Sequence, residues 1–377
     1  MVRVPRRVLM TADTIGGVWT YALELSAALA AFDVEVALAT MGRPLNASQR
    51  AEAEALRNLQ IFESSYKLEW MEDPWADVDA AGDWLRSLES RLEPDIVHLN
   101  GYAHGALPWK APVLVVGHSC VASWWKAVKG GPLPESWITY RNAVRLGLAA
   151  ADCVVAPSHA MLAALIEHYG LVPNGRVIPN ARDPRAFAPV VKEPFILTAG
   201  RLWDAAKNIS GLESVAMRLP WPVLVAGEEH HPNGRSSANI RTVVPLGYLS
   251  SGEMALRLGA ASIYALPARY EPFGLSVLEA ALSGCALILG DIDSLRENWD
   301  GAAVFVDPED SEALVGAATK LIHQRRRRED LGAAALHRGR SFAPECMGKA
   351  YFSLYQQMAN DTRPAHQHSS EVQPCDS

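Results

Sequence analysis

Short apolar runs alternate regularly with helical patterns along most of the 377 residues of this sequence. Such an alternation predicts parallel sheets covered by helices on both faces. The pattern restarts near residue 195, so the sequence indicates two doubly wound α/β units in succession. The predicted strands lie at residues 7–11, 34–39, 95–99, 112–116, 153–156, 195–198, 222–226, 240–245, 262–266, 286–289 and 303–306.

The length of the chain predicts two domains, because an average domain holds roughly 150 residues. Turn-forming residues cluster at residues 177–184, where we expect the boundary. The expected division is an N-terminal domain over residues 1–182, a C-terminal domain over 183–345, a last helix over 346–360 and a disordered tail over 361–377. Ligands of open α/β sheets bind beyond the carboxyl ends of the strands, so two such sheets predict a cleft between them.

Composition argues against several classes of partner. The net charge of −7 disfavours nucleic-acid binding and broad electrostatic attachment to anionic lipid. The sequence shows neither a signal-peptide pattern nor a run of about 20 apolar residues. The five cysteines are scattered, and no pair has the spacing of metal ligands. These observations favour a cytoplasmic location, with peripheral contact at the inner membrane face as an alternative.

Two carboxylates, Glu271 and Glu279, are separated by seven residues that contain a Pro-Phe-Gly turn. The turn includes Phe273 and Gly274, and an apolar-periodic helix follows from Leu275. The start of a helix favours a bound anion, whereas carboxylates favour hydroxyl groups attached to that anion. A sugar nucleotide has both, because its diphosphate is flanked by two rings that carry hydroxyl groups. Taken singly, Glu271 is also compatible with a loop carboxylate and Glu279 with a helix-surface charge.

Two cations and a glycine pair also follow predicted strands. Arg201 and Lys207, six residues apart at a strand end, suit a diphosphate, because Arg grips two oxygens and Lys adds a point charge. A surface ion-pair site is the alternative. Gly16 and Gly17 lie between the first strand and first helix, where they let a backbone approach a ligand closely. A purely structural turn is equally compatible, since neither G-x-G-x-x-G nor a P-loop pattern is present.

Further candidates lie at strand ends in the first half. His118 follows the strand at residues 112–116 and is expected to face the cleft, with a satisfied structural histidine as the alternative. Asn100 and Tyr102 follow the preceding strand, within reach of a ligand. Trp124 and Trp125 suit stacking on a sugar or aromatic acceptor, seating at a membrane interface, or packing in the core.

One formal metal motif is present. Asp291 and Asp293 match the pattern D-x-D, but they follow a strand in the second half, where we expect a loop at the edge of the cleft. We therefore predict that no metal site and no cofactor are involved.

The stretch from Glu271 to Glu279, together with Gly200-Arg201…Lys207-Asn208 and Pro179-Asn180, resembles the retaining glycosyltransferases of family 4. The resemblance covers roughly residues 7–358 and implies the GT-B fold, in which two Rossmann-like domains face an interdomain cleft. It further implies a metal-independent enzyme that moves a hexose from a UDP- or GDP-sugar, with UDP favoured, to an acceptor hydroxyl. Front-face attack would retain the anomeric configuration.

The resemblance also implies a role for each candidate. Arg201 and Lys207 would neutralise the diphosphate. Glu279 would bind the ribose, and Glu271 would bind the transferred sugar.

The loops around the donor would contribute as well. Backbone amides of Phe273, Gly274 and Leu275 would help to hold the sugar. Gly16 and Gly17 would let their loop close over the diphosphate, and His118 would meet the donor sugar.

The acceptor would bind the N-terminal half, near Asn100, Tyr102, Trp124 and Trp125, and would be a saccharide, a lipid-linked or another small molecule. One departure from the family pattern is Ala181-Arg182-Asp183 in place of Gly-Val-Asp. It is expected to alter the hinge or to place Arg182 near the cleft.

Two other functions remain as alternatives to glycosyl transfer. One is a sugar-nucleotide epimerase or hydrolase of the same fold, in which water replaces the acceptor. The other is a non-catalytic sugar-nucleotide-binding protein, against which the intact set of charged residues counts.

Overall fold

A computed structural model describes residues 4–170, 172–229 and 240–361. They form two parallel sheets, with strand orders β3-β2-β1-β4-β5-β6-β7 and β10-β9-β8-β11-β12-β13. The first sheet consists of β1 (Arg7–Asp13), β2 (Glu35–Met41), β3 (Leu59–Glu63), β4 (Ile96–Leu99), β5 (Val113–Val116), β6 (Cys153–Ala156) and β7 (Arg176–Val177). The second consists of β8 (Glu193–Ala199), β9 (Val223–Ala226), β10 (Val244–Gly247), β11 (Ala261–Leu266), β12 (Ala286–Gly290) and β13 (Ala303–Val306).

Helices connect the strands and cover both sheets. Those of the first half are α1 (Gly17–Leu29), α2 (Ala47–Glu54), α3 (Trp75–Leu92), α4 (Val121–Val128), α5 (Ile138–Ala150) and α6 (His159–Tyr169). Those of the second half are α7 (Ile209–Val215), α8 (Ser251–Ala260), α9 (Leu275–Leu282), α10 (Asp293–Trp299), α11 (Ser311–His323), α12 (Arg325–Gly339) and α13 (Pro344–Asn360). The predicted fold class, two doubly wound α/β units, is confirmed.

The central strands are buried along their whole length. Every residue of β4, β5, β6, β11 and β12 is buried. Strands covered by helices on both faces are apolar throughout rather than alternating. This is the reason why the sequence shows continuous apolar runs at these positions.

Three strands differ from the prediction. The edge strands β3 and β7 were not predicted, because β3 is only half buried and β7 has two residues. The strand expected at residues 240–245 is displaced to Val244–Gly247. The reason is Glu213, whose carboxylate accepts hydrogen bonds from the backbone amides of Arg241, Thr242 and Val243 and so removes them from strand pairing.

The last helix, α13, extends beyond the expected range and packs on α1, which follows the first strand of the first sheet. Phe352 stacks on Phe32 at a ring-centroid distance of 4.4 Å. The chain thus returns from the second sheet to the first. The tail expected to be disordered lies, apart from its first residue, outside the described residues. Among those that are described, none of the helices has both the length and the apolar character needed to cross a membrane.

Glycines let α5 lie directly on the turn that follows β4. A Cβ on Gly147 would lie 1.8 Å from the carbonyl oxygen of Tyr102, and one on Gly105 would lie 2.5 Å from the carbonyl oxygen of Gly147. Backbone atoms at these distances cannot move aside as a flexible side chain would. The close approach therefore positions the loop that carries Asn100 and Tyr102.

We expect Gly147→Ala to lower the free energy of unfolding by about 1–3 kcal/mol, because the added methyl group overpacks this contact. Urea unfolding, followed by circular dichroism, measures the loss. Gly316→Ala is the matched control: Gly316 also lies in a helix, α11, with open space around it. Alanine there should be neutral or stabilising by up to about 1 kcal/mol. Equal effects of the two substitutions would contradict the packing argument.

Candidate active site

The starts of α1 and α9, one from each half of the chain, lie side by side. A Cβ on Gly17, the first residue of α1, would lie 3.2 Å from Cδ1 of Leu275, the first residue of α9. Gly16 precedes α1 at φ +114° and Gly274 precedes α9 at φ +90°, a region that favours glycine. Two sets of free backbone amides and two positive dipole ends are thereby neighbours, an arrangement that attracts an anion.

Arg201, which follows β8, lies beside these helix starts. Its Nη1 atom lies 3.9 Å from the position of a Cβ on Gly16. Its Nη2 atom forms an ion pair of 2.8 Å with Asp204, whose side chain is 4% exposed. Although burial acts to raise the pKa of Asp204, Arg201 and Lys207 lower it, so Asp204 is an anion that orients Arg201.

Lys207 and Glu271, 64 residues apart in sequence, form an ion pair of 2.5 Å between Nζ and Oε2. Both side chains are largely buried, at 15% and 13% exposure. The loop of Glu271 is held on the second sheet, because Arg269 donates its backbone amide to Ala206 and Ser294 donates its hydroxyl to the Glu271 carbonyl. The structure therefore brings together two of the predicted site residues.

Side chains and backbone groups of the first half contact the same region. The Trp124 indole N–H donates to Asp204 at 2.9 Å, and the Ser158 hydroxyl donates to the carbonyl of Pro272 at 2.8 Å. The backbone amide of Cys120 donates to the Tyr270 hydroxyl at 3.2 Å. These contacts bring the α6 start against the Pro-Phe-Gly turn, and the α4 start against Tyr270 and Asp204.

Within that turn, Phe273 is 3% exposed and packs edge-on against Phe342, with ring centroids 5.4 Å apart. Its side chain belongs to the core, so only its backbone faces a ligand.

Glu279 on α9 is paired with Arg182, which lies between the two sheets. The Arg182 Nε atom lies 2.9 Å from Glu279 Oε1, and its Nη1 atom lies 2.7 Å from Oε1 of Glu24 on α1. Burial raises the pKa of Glu279, and Arg182 opposes that shift. Arg182 stands out in the sequence as a departure from the family pattern. Glu24 does not, because a single glutamate within a helix looks like any other polar residue of that helix.

His118 is held by the side-chain amide of Asn100, and a second hydrogen bond determines how that amide is oriented. Asn100 donates from Nδ2 to the carbonyl of Thr11 at 2.7 Å, so its Oδ1 atom is left to accept. That oxygen lies 2.9 Å from Nε2 of His118 and 3.2 Å from Nε2 of His98. Burial lowers the pKa of both histidines to about 3, so both imidazoles are neutral.

The two remaining acceptor candidates, Tyr102 and Trp125, differ in burial. Tyr102 is 3% exposed and its hydroxyl donates to the carbonyl of Ser119, so the structure places it in the core rather than in the cleft. Trp125 is partly buried, with its ring centroid 6.4 Å from that of Trp124.

Asp13, at the end of β1, is a site residue that sequence analysis did not single out. Its Oδ1 atom accepts a hydrogen bond from the Ile15 amide at 2.5 Å. Burial raises the pKa of Asp13 to about 7, against the opposing effects of the Ile15 amide, Arg201 and Arg43. Asp13 could have been found in the sequence from its position at the end of a strand, because ligands of open α/β sheets bind there.

The first carboxylate of the D-x-D motif pairs with an arginine. Asp291 is paired with Arg296, whose Nη2 atom lies 2.6 Å from its Oδ2 atom. Across residues 4–170, 172–229 and 240–361, no group of three or more His, Cys, Asp or Glu side chains is arranged to hold a metal ion.

Comparison with known proteins identifies the family and the fold. A family model described as Glycosyltransferase Family 4 matches residues 15–186, and one described as Glycosyl transferases group 1 matches residues 180–338. The sucrose-phosphate synthase of Thermosynechococcus elongatus superposes with a TM-score of 0.79 at 19% identity, over 94% of this chain and 99% of that one. The Anabaena protein HepE, in complex with UDP-glucose, superposes with a TM-score of 0.71 at 15% identity, over 93% and 99%.

A sulfoquinovosyl transferase of Arabidopsis thaliana is 25% identical over 281 residues, which are 65% of this chain and 53% of that protein. The chain thus spans about half the length of the curated relatives it matches first. The two family models together cover most of the chain, and the structural matches show the fold. The chain belongs to the family 4 / group 1 retaining glycosyltransferases, with the GT-B fold.

Proposed function

We propose that the protein transfers a hexose from a UDP-sugar to an acceptor hydroxyl with retention of configuration, without a metal ion. The observation that carries this proposal is the meeting of two helix starts with Arg201. Asp204, which pairs with Arg201, also interacts with the charge of Lys207, the partner of Glu271. Helix starts and fixed cations together suit a diphosphate, whereas the neighbouring carboxylates suit hydroxyl groups. A nucleotide-diphosphate sugar has both.

Arg201 and Lys207 act on the leaving group. When the bond between the anomeric carbon and the diphosphate oxygen breaks, negative charge develops on the diphosphate and positive charge on the sugar. Cations held in place before the reaction stabilise the former at little reorganisation cost, which is usually the largest catalytic contribution. Asp204 holds Arg201 for this role through an ion pair of 2.8 Å.

The two glutamates of the motif bind hydroxyl groups on either side of the diphosphate. Glu271 accepts from hydroxyls of the transferred sugar, and Glu279 accepts from those of the ribose. Backbone amides at the start of α9 add donors to the phosphate and sugar. HepE, which has a similar fold, forms a complex with UDP-glucose, and this supports a uridine nucleotide as the donor.

His118 acts by hydrogen bonding rather than by charge, because burial keeps its imidazole neutral at physiological pH. The acceptor hydroxyl attacks the anomeric carbon on the face that the diphosphate leaves. Its proton passes to the departing phosphate oxygen, so the step needs no separate side-chain base. The new glycosidic bond forms on the same face, and the configuration is retained.

The acceptor binds on the side of the first sheet. Trp124, which donates to Asp204, and the neighbouring Trp125 present aromatic surface there, and aromatic rings suit stacking on a sugar or another flat acceptor. A lipid-linked acceptor, with peripheral membrane contact through α4, fits the exposed lysines Lys126 and Lys129 beside them.

We expect Arg201→Ala and Lys207→Ala each to lower kcat by about 10²–10³-fold while the fold persists, because each removes charge stabilisation of the leaving group. Nucleotide release from UDP-glucose, UDP-galactose, UDP-N-acetylglucosamine and GDP-mannose, with an acceptor library, measures turnover. Arg218→Ala is the control, since this exposed arginine pairs with Glu312 away from the site. Wild-type rates in both variants would exclude the diphosphate assignment.

The same assay separates the alternatives. A free sugar or an epimer formed without an acceptor would indicate a hydrolase or epimerase. Donor binding without turnover on any acceptor would favour a non-catalytic binding protein. A mass shift on an acceptor, dependent on the donor, is the result that we expect.

Donor affinity should fall as the pH rises above about 7, where Asp13 ionises in the free protein. A bound diphosphate engages Arg201 and adds negative charge, both of which raise the pKa of Asp13, so the protonated form binds more tightly. The slope is at most about tenfold per pH unit. Calorimetric titration with UDP-glucose measures it, because this diphosphate has no group that titrates near neutral pH. Asp13→Asn should abolish the slope, and an unchanged slope in that variant would contradict the assignment.

A further inference from the structure

Arg182 joins two carboxylates that belong to different halves of the molecule. It lies in the segment between β7 and β8, with Glu24 of α1 on one side and Glu279 of α9 on the other. The three side chains are 12%, 13% and 15% exposed, respectively. An ion cluster this far from solvent is screened little by water, so its geometry is strongly determined.

The surroundings hold Arg182 in one orientation. Its guanidinium carbon lies 5.0 Å from the ring centroid of Phe187, and its backbone amide donates to the carbonyl of Phe342 at 3.4 Å. Glu24 accepts a second hydrogen bond from the Asp183 amide at 3.3 Å. Arg182 is therefore not a mobile surface cation that pairs with Glu279 by chance.

The cluster has one cation for two acids. Burial raises the pKa of Glu24 and of Glu279, and Arg182 opposes both shifts. The close contact between the two side chains joins Nε of Arg182 to one oxygen of Glu279, Oε1, at 2.9 Å. The second oxygen of Glu279 remains to accept hydrogen bonds from a ligand, and 15% of the side chain stays exposed.

We propose that Arg182 is a positioning residue for recognition of the donor ribose: its guanidinium holds one oxygen of Glu279, so that the other oxygen is turned to accept from the ribose hydroxyls. This proposal rests on the proposed function, which assigns the ribose to Glu279. An ionised acceptor makes hydrogen bonds about twice as strong as a neutral one. Loss of Arg182 should therefore weaken the contribution of the ribose hydroxyls selectively, leaving the contacts to the diphosphate.

The test compares the affinities of UDP and 2′,3′-dideoxy-UDP, measured by calorimetry on the full chain. The wild type should prefer UDP by at least about tenfold, the worth of hydrogen bonds to a charged group. Arg182→Gln should reduce the preference to about threefold or less, chiefly by lowering the affinity for UDP. Glu279→Gln should have the same effect, and Arg182→Lys, which keeps the charge without the planar fork, should restore part of the preference.

Arg185→Gln is the matched control. Arg185 belongs to the same linking segment, but its side chain is 85% exposed and pairs with Asp183. This variant should keep the wild-type preference. Thermal melting of each variant reports the fold, and Arg182→Lys supplies the comparison if Arg182→Gln does not fold.

The outcomes separate this proposal from the one on which it rests. A wild-type protein that binds neither UDP nor GDP overturns the proposed function, and the role of Arg182 with it. If guanosine nucleotides bind instead, GDP and 2′,3′-dideoxy-GDP replace the uridine pair. A wild-type preference retained in Arg182→Gln, or an equal weakening of both ligands, overturns the role of Arg182 and leaves the donor class intact.

Discussion

The site is organised by the contact between the starts of α1 and α9. Each helix belongs to a different half of the chain, and the approach is close, because a Cβ on Gly17 would lie 3.2 Å from Cδ1 of Leu275. Two positive helix ends side by side repel each other unless negative charge lies nearby, so their meeting favours an anion. The Arg201 guanidinium beside Gly16 adds to the same field, so the space is strongly suited to negative charge.

The carboxylates around this space balance its positive charge when no anion is bound. Asp204 pairs with Arg201, Glu271 with Lys207, and Glu279 with Arg182. Ion pairs in partly buried surroundings contribute little net stability, because loss of hydration offsets the attraction. Their value is orientation: the charges already stand in place, and little rearrangement is needed when a leaving group becomes negative.

Much of the fold could be predicted because parallel strands covered on both faces are apolar throughout, and helices between them have a period of their own. The prediction was wrong where a single long-range contact decided the backbone. Glu213 takes the amides of residues 241–243, which shortens the strand expected there. The edge strands β3 and β7 were not predicted from the sequence, because partly buried strands show no continuous apolar run.

Local patterns in the sequence were enough to predict the class of fold and to identify Glu271 and Glu279 as candidates for the site, because apolar periodicity and residue spacing are local properties of the chain. The partners of the charged side chains followed from the tertiary structure alone. Lys207 meets Glu271 across 64 positions, and Arg182 meets Glu24 and Glu279 from two different helices. Pairings of this kind depend on how two sheets face each other, and no local pattern records that distance or orientation.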